Sequence, residues 1–218
     1  MPDYKLYLTR LTPDPAHALA RRERTDAGAM HRRVMSLFPD NLPAQPRATT
    51  GALFRVDQDN AGIFVLIQSV LPPDPAKLPT GYGPILTKNM APLIELCRPG
   101  MSVKYRIIGN AIRRLGPLTT AGRSGQVIPL RGSDAHAWWQ RQAATAGLAV
   151  QDIHATVLPP GTTGRDEADA TQRTPHDRTQ FDGNATITDP AALIAAMSHG
   201  IGRAKSYGCG LLTIAPLP

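Results

Sequence analysis

The chain has 218 residues, 42% of them hydrophobic and 19% charged, enough apolar matter for one large domain or two small ones and too much for wholesale disorder. Its formal charge is +7, from 24 basic against 17 acidic side chains, and 19 of the basic ones are arginine. That excess suits an anionic partner, nucleic acid first in line, because guanidinium groups contact phosphate bidentately and stack on bases. No apolar run reaches the roughly 20 residues that cross a bilayer. The opening Met1-Pro2-Asp3-Tyr4-Lys5 lacks a signal-peptide pattern, and Cys97 and Cys209 are too few for a disulfide framework or a cysteine zinc site. A reduced, cytoplasmic protein without a membrane partner is expected.

Tyr4, Leu6 and Leu8 alternate with polar residues and predict a strand over 4–10, ended by Pro13 and Pro15. A short basic helix over 16–24 follows. Thr25 and Asp26 offer N-cap oxygens to a second helix over 27–38, with Met30, Val34, Leu37 and Phe38 as its apolar face and Pro39 as its stop. Strands over 51–57 and 62–70 flank the hairpin chemistry of residues 57–62. A proline-rich stretch at 71–75 opens a variable region that runs to Pro99-Gly100. Strand, helix, strand, strand is the opening of a ferredoxin-like unit.

The second half predicts the same order. A strand over 101–108 leads to a helix over 134–146, capped by Ser133 or Asp134 and carrying Trp138, which like Trp139 is expected in the core. A strand-like stretch over 148–157, a polar loop over 161–175 and a strand over 178–188 come next, with a turn at Asp182-Gly183. A helix capped by Thr188 or Asp189, with Pro190 in its first turn, ends at His199-Gly200, and a last strand covers 211–215. We therefore expect an α+β fold of two tandem ferredoxin-like (RRM-like, βαββαβ) domains, 1–99 and 100–218. The two halves share element order, not sequence.

The most distinctive motif is the glycine-rich tail from Gly200 to Leu212, with Gly200, Gly202, Gly208 and Gly210 among eleven positions and Arg203 and Lys205 beside them. Glycines allow positive φ and close backbone approach, and successive N–H groups can cradle an anion. A helix precedes the motif and a strand follows, the reverse of a Walker A loop or a dinucleotide fingerprint.

This tail, Gly200-Ile201-Gly202-Arg203-Ala204-Lys205-Ser206-Tyr207-Gly208-Cys209-Gly210-Leu211-Leu212, closely resembles the glycine-rich loop of CRISPR-repeat endoribonucleases of the CasE family, from the type I-E Cascade system. Other pieces follow in order. Tyr4 to Arg10 is similar to the family's start, and Met30-His31-Arg32 with Ser36-Leu37-Phe38-Pro39 resembles the helix of its active-site histidine. Leu66-Ile67-Gln68-Ser69, Tyr105-Arg106-Ile107-Ile108-Gly109-Asn110 and Phe181-Asp182-Gly183 match further family segments.

The resemblance implies two tandem ferredoxin-like domains and cleavage of the repeat RNA below a stem-loop, with no metal and no cofactor. It also implies that the matured guide RNA stays bound and joins the other Cascade subunits. His31 is then the catalytic residue, with Arg32 as its first candidate helper and Arg33 as a phosphate clamp. By residue type alone, the other five histidines have equal claims. An imidazole exchanges protons near neutral pH, so it can take the 2′-OH proton while a cation neutralises the phosphorane. Asn110, Arg113 and Arg114 are placed to grip the RNA backbone, His176 and Arg178 to enter a stem groove, and Gly202, Arg203, Lys205, Gly208 and Gly210 to line the RNA-binding loop. The family's tyrosine three residues before the histidine is Gly28 here. Two other readings stay open on sequence: a non-catalytic RNA-binding subunit of the same fold, and a small-molecule enzyme that holds phosphate in the glycine-rich tail. Asp166, Glu167 and Asp169 have no histidine at metal spacing, so no metal site is expected.

Overall fold

A computed structural model of the chain describes residues 5–42, 46–118, 122–161 and 176–217. Two antiparallel sheets organise it. In the first half β1 (Tyr7–Leu11) leads into α1 (Ala18–Thr25), α2 (Ala27–Ser36) and the short α3 (Pro46–Thr50). The hairpin of β2 (Leu53–Asp59) and β3 (Gly62–Ser69) follows, then β4 (Ile85–Asn89) and α4 (Ala91–Leu96). The strand order β2-β3-β1-β4 is that of a ferredoxin-like sheet.

Asp26 breaks the first crossover into two helices: its carboxylate accepts the N–H groups of Gly28 (2.8 Å) and Ala29 (2.9 Å), a side-chain N-cap that starts α2 afresh. The second crossover, between β3 and β4, has only a 3₁₀ turn at Pro75–Lys77. Pro72, Pro73, Pro75 and Pro79 remove the N–H donors that a helix needs there.

The second half contains β5 (Ser102–Gly109), the hairpin of β6 (Ile112–Arg114) and β7 (Val127–Pro129), α5 (Gly132–Thr145), β8 (Leu148–Val150) and β9 (His154–Gly161). It ends with β10 (His176–Ile187), α6 (Pro190–His199) and β11 (Leu212–Pro216). Its order is β11-β5-β10-β8, with β9 continuing along β10 beyond β8.

Three local expectations are corrected. Residues 182 and 183 form no turn: β10 runs straight through, with Gly183 opposite Tyr105. Glycine is needed because a Cβ there would lie 2.2 Å from the Asp152 carbonyl and 2.8 Å from the Tyr105 hydroxyl, so it marks a close approach and not a reversal. Neither Ser133 nor Asp134 caps α5, which begins at Gly132 after Arg131 with no side-chain cap. Both sit inside its first turn, where the Asp134 charge favours the helix N-terminus. The first strand starts at Tyr7, later than expected. The polar loop after residue 161 lies outside the described residues up to 175, as do Asp166, Glu167 and Asp169.

Asp189 caps α6 as expected, accepting from Ala191 and Ala192. Both tryptophans are buried: Trp139 lies 5.8 Å from the Phe181 ring and 5.3 Å from Tyr105, and Trp138 lies 5.7 Å from Phe181. One apolar cluster joins Met30, Val34, Phe38, Phe54 and Ile67 under the first sheet. The other centres on Trp139 and Phe181 and takes in Leu6, Met90 and Ile94 from the first half, so the two halves share a core.

Candidate functional site

α2 presents His31 half-buried one turn below its Asp26 cap. The imidazole stacks on Phe54 of β2, with ring centroids 6.3 Å apart and planes at 26°. Burial holds its pKa below the ordinary value of 6.5, and the charges of Arg47 and Arg32 push it the same way. The ring is therefore neutral at physiological pH and able to accept a proton.

The 3₁₀ turn Lys205–Tyr207 of the glycine-rich tail packs against α2 and β2. Gly208, at φ +81°, sets its backbone against Phe54, 3.4 Å from where a Cβ would stand. Gly210, at φ +86°, lies so close to the Ile201 carbonyl that a Cβ would come within 2.7 Å of it. The tail is thus folded back on itself beside the His31 helix. Burial lowers the Lys205 pKa, and Arg47 lowers it further.

Arg47, on α3, bears on both His31 and Lys205 and has no ion pair among the described residues. Sequence reasoning missed it. No element is predicted between Pro39 and residue 51, and the stretch's only signal is one cation ahead of a buried strand. His31, Arg32, Arg47, Lys205 and Gly208 thus converge from α2, α3 and the tail. Here a neutral base can remove a proton while cations that have no ion pair among the described residues stabilise developing negative charge on a phosphate.

Other sequence candidates are placed differently. Arg33 turns away from this cluster. Its Nε and Nη2 donate to the two Glu23 carboxylate oxygens at 3.0 and 2.9 Å, its guanidinium lies 5.0 Å from the Tyr82 ring centroid, and the Tyr82 hydroxyl donates to Glu23 at 2.7 Å. Its geometry is that of a strap holding α1 to α2, not of a free phosphate clamp. Arg178 donates twice to the Pro159 carbonyl and lines a cleft of about 620 Å³ between the halves, with Arg24, Met30, Phe54, Arg106 and Tyr207. His176 opens β10, but its side chain lies outside the described residues.

Asn110 is buried, and its side-chain amide donates to the Asp177 carbonyl at 2.7 Å. With Arg114, Gln142, Trp138, Gly202 and Arg203 it lines a second recess of about 250 Å³. Arg113 is exposed on β6. The tail therefore borders two groups, the histidine cluster at Gly208 and this basic recess at Gly202.

A family model described as CRISPR associated protein matches residues 6–216. The CRISPR system Cascade subunit CasE of Escherichia coli strain K12 is 31% identical over 207 residues, covering 91% of this chain and 96% of that protein. The CRISPR-associated endoribonuclease Cse3 of Thermus thermophilus is 26% identical over 223 residues, covering 97% and 100%. A structure of Thermus thermophilus Cse3 bound to an RNA representing a pre-cleavage complex shares the fold, with TM-score 0.79 and 23% identity over 98% of this chain and 100% of that one. With a family match over nearly its whole length and the same tandem sheets, this chain belongs to the CasE family of CRISPR-associated proteins.

Proposed function

We propose that the chain is the endoribonuclease that matures CRISPR guide RNA, binding the repeat stem-loop and cutting beneath it by attack of the RNA's own 2′-OH. The observation that carries this reading is a half-buried imidazole, kept neutral beside Arg47, Arg32 and the glycine-rich tail. In this reading His31 takes the 2′-OH proton, Arg47, Lys205 and Arg32 stabilise the crowded phosphorane, and the P–O5′ bond breaks as the 5′-oxygen leaves with a proton from the imidazolium or from water, giving a 2′,3′-cyclic phosphate and a 5′-hydroxyl. The nucleophile is in the substrate, so the step needs no metal-bound water and no cofactor. Arg113, Arg114 and Arg203, with the backbone at Gly202 and Gly210, hold the RNA backbone, Asn110 braces the recess, and Arg178 faces the stem from β10, the strand that His176 opens. A-form RNA offers phosphates and 2′-hydroxyls, so these contacts read shape before sequence.

The names of the E. coli and Thermus relatives support this reading, the first as a Cascade subunit and the second as an endoribonuclease. The proposal extends to retention of the cut guide RNA, to assembly with other Cascade subunits, and to a division of the chain into domains near 99/100. It also places the protein in the cytoplasm, in keeping with two unpaired cysteines. No helix among the described residues is long and apolar enough to cross a membrane.

One observation favours a second reading. Gly28 leaves α2 without a phenol one turn before His31, which suits a subunit that binds RNA without cutting it. Incubation with an end-labelled repeat stem-loop separates the outcomes. Cleavage supports the first reading, tight binding alone supports the second, and neither removes both.

A further inference from the structure

Arg55 is buried among the apolar residues of the core, at 2% exposure. Its Nε faces both Asp57 carboxylate oxygens at 2.9 Å, and Nη2 lies 2.8 Å from the same carboxylate. The remaining N–H groups leave the first half altogether. Nη1 donates to the carbonyls of Arg106 (3.0 Å) and Leu211 (3.2 Å), and Nη2 donates to the Thr213 hydroxyl at 3.1 Å. All three nitrogens of the fork thus have acceptors, and those beyond Asp57 lie on β5, on β11 and at the residue just before β11.

Leu211 is the residue at which the glycine-rich tail rejoins the sheet. The entry to the tail is gripped from the same hairpin: the Gln68 side-chain amide donates to the Met197 carbonyl, and Leu53 fills the space that a Cβ on Gly200 would need. Leu53 and Gln68 are register partners on β2 and β3. The tail is therefore hung between two anchor points, both supplied by the first half. Successive side chains of a strand point to opposite faces, so Phe54, between the two anchors on β2, points the other way, onto His31. One strand holds the histidine on one face and the exit of the tail on the other.

We propose that Arg55 is a positioning residue for cleavage, fixing the tail exit and hence Lys205 and Gly208 at the distance from His31 that the reaction requires. A plain interdomain brace would need only the Asp57 pair and one strand contact. The bonds to Leu211 and Thr213 add a fixed register between tail and histidine. The inference rests on the reading of His31 as the base, and the test keeps the two apart.

Removing one partner of a buried pair leaves an unpaired charge, whereas replacing both with apolar groups is often neutral for stability. The double variant Arg55→Met/Asp57→Leu therefore keeps the protein folded while cutting the link to Leu211 and Thr213. Thermal melting, repeat-RNA affinity and single-turnover cleavage of saturated RNA are measured for this variant, for Arg55→Lys, for Thr213→Val and for His31→Ala. The double variant is expected to melt near the wild type and to bind RNA with little change, while its cleavage rate falls roughly 10- to 100-fold, the scale of an ångström misplacement. Arg55→Lys, with fewer donors, is expected to fall between the two. A folded double variant that cuts at the wild-type rate overturns the inference. Should that variant fail to fold, wild-type cleavage by both Arg55→Lys and Thr213→Val overturns it equally. Wild-type cleavage by His31→Ala instead removes the underlying reading of the base.

Discussion

A single histidine kept neutral by its surroundings gives the sharpest residue-level expectations. Burial, Arg47 and Arg32 all disfavour the imidazolium, so the acid limb of single-turnover cleavage should lie below pH 6.5. Taking away one cation relaxes that effect, and Arg47→Gln should move the acid limb to higher pH as well as slow the plateau. An unmoved limb would separate Arg47 from His31. His31→Ala should lose about 10²–10⁴-fold in rate, the usual contribution of a general acid or base, and keep most of its RNA affinity, which many phosphate contacts share. Arg33 makes the opposite case. Since it is bound to Glu23 and lies over Tyr82, Arg33→Ala should cost up to roughly 3 kcal/mol of stability for a mostly buried pair, read as a lower melting temperature. Cleavage by the folded fraction should be spared, and a selective loss of RNA binding would restore Arg33 to the interface. The sequence placed His31 by its neighbours, but Arg33 and Arg47 show what neighbours cannot tell. Helical phase turned one adjacent arginine away, and chain folding brought in another from sixteen residues downstream.

Among the elements, the glycine-rich tail has conformational demands that can be tested against a neutral glycine. Gly208 combines positive φ with contact on Phe54, whereas Gly116 has open space and no such φ. Gly208→Val should damage folding or RNA binding far more than Gly116→Val, as compared by melting and by filter binding, and equal tolerance would detach the tail from the site. This element was legible in advance because its chemistry is local: glycine spacing, an Asp189 cap and a following apolar strand all lie within a few turns. The Asp26 cap was legible for the same reason. The β6–β7 hairpin, α3 and α4 were not, since three to six residues carry too little periodicity to announce themselves. Asp182-Gly183 misled because turn residues also occur where a neighbouring strand crowds the backbone.

For the whole molecule, the joint between the sheets ties the first half to the second through hydrogen bonds and a common core. The Arg55–Thr213 bond links residues 158 positions apart, the shared core brings Leu6, Met90 and Ile94 into the second half, and no local pattern encodes contacts of that range. What the sequence did carry to this scale is charge. With +7 overall and Arg32, Arg113 and Arg203 exposed, affinity for the repeat hairpin should fall with salt at about −0.7 to −0.9 in log units per phosphate neutralised. Four contacts would give on the order of a 100-fold loss between about 50 and 200 mM. A flat salt response, or equal affinity for duplex DNA, would contradict an interface built on these cations. The central claim is that the RNA supplies its own nucleophile to a neutral His31, and a single 2′-deoxy nucleotide placed before the scissile bond tests it most directly. In excess EDTA, the all-ribose hairpin should be cut to a 5′-hydroxyl fragment and a 2′,3′-cyclic phosphate, while the deoxy hairpin is bound equally well and left whole. Cleavage of the deoxy hairpin, or loss of all cleavage with EDTA, would contradict it.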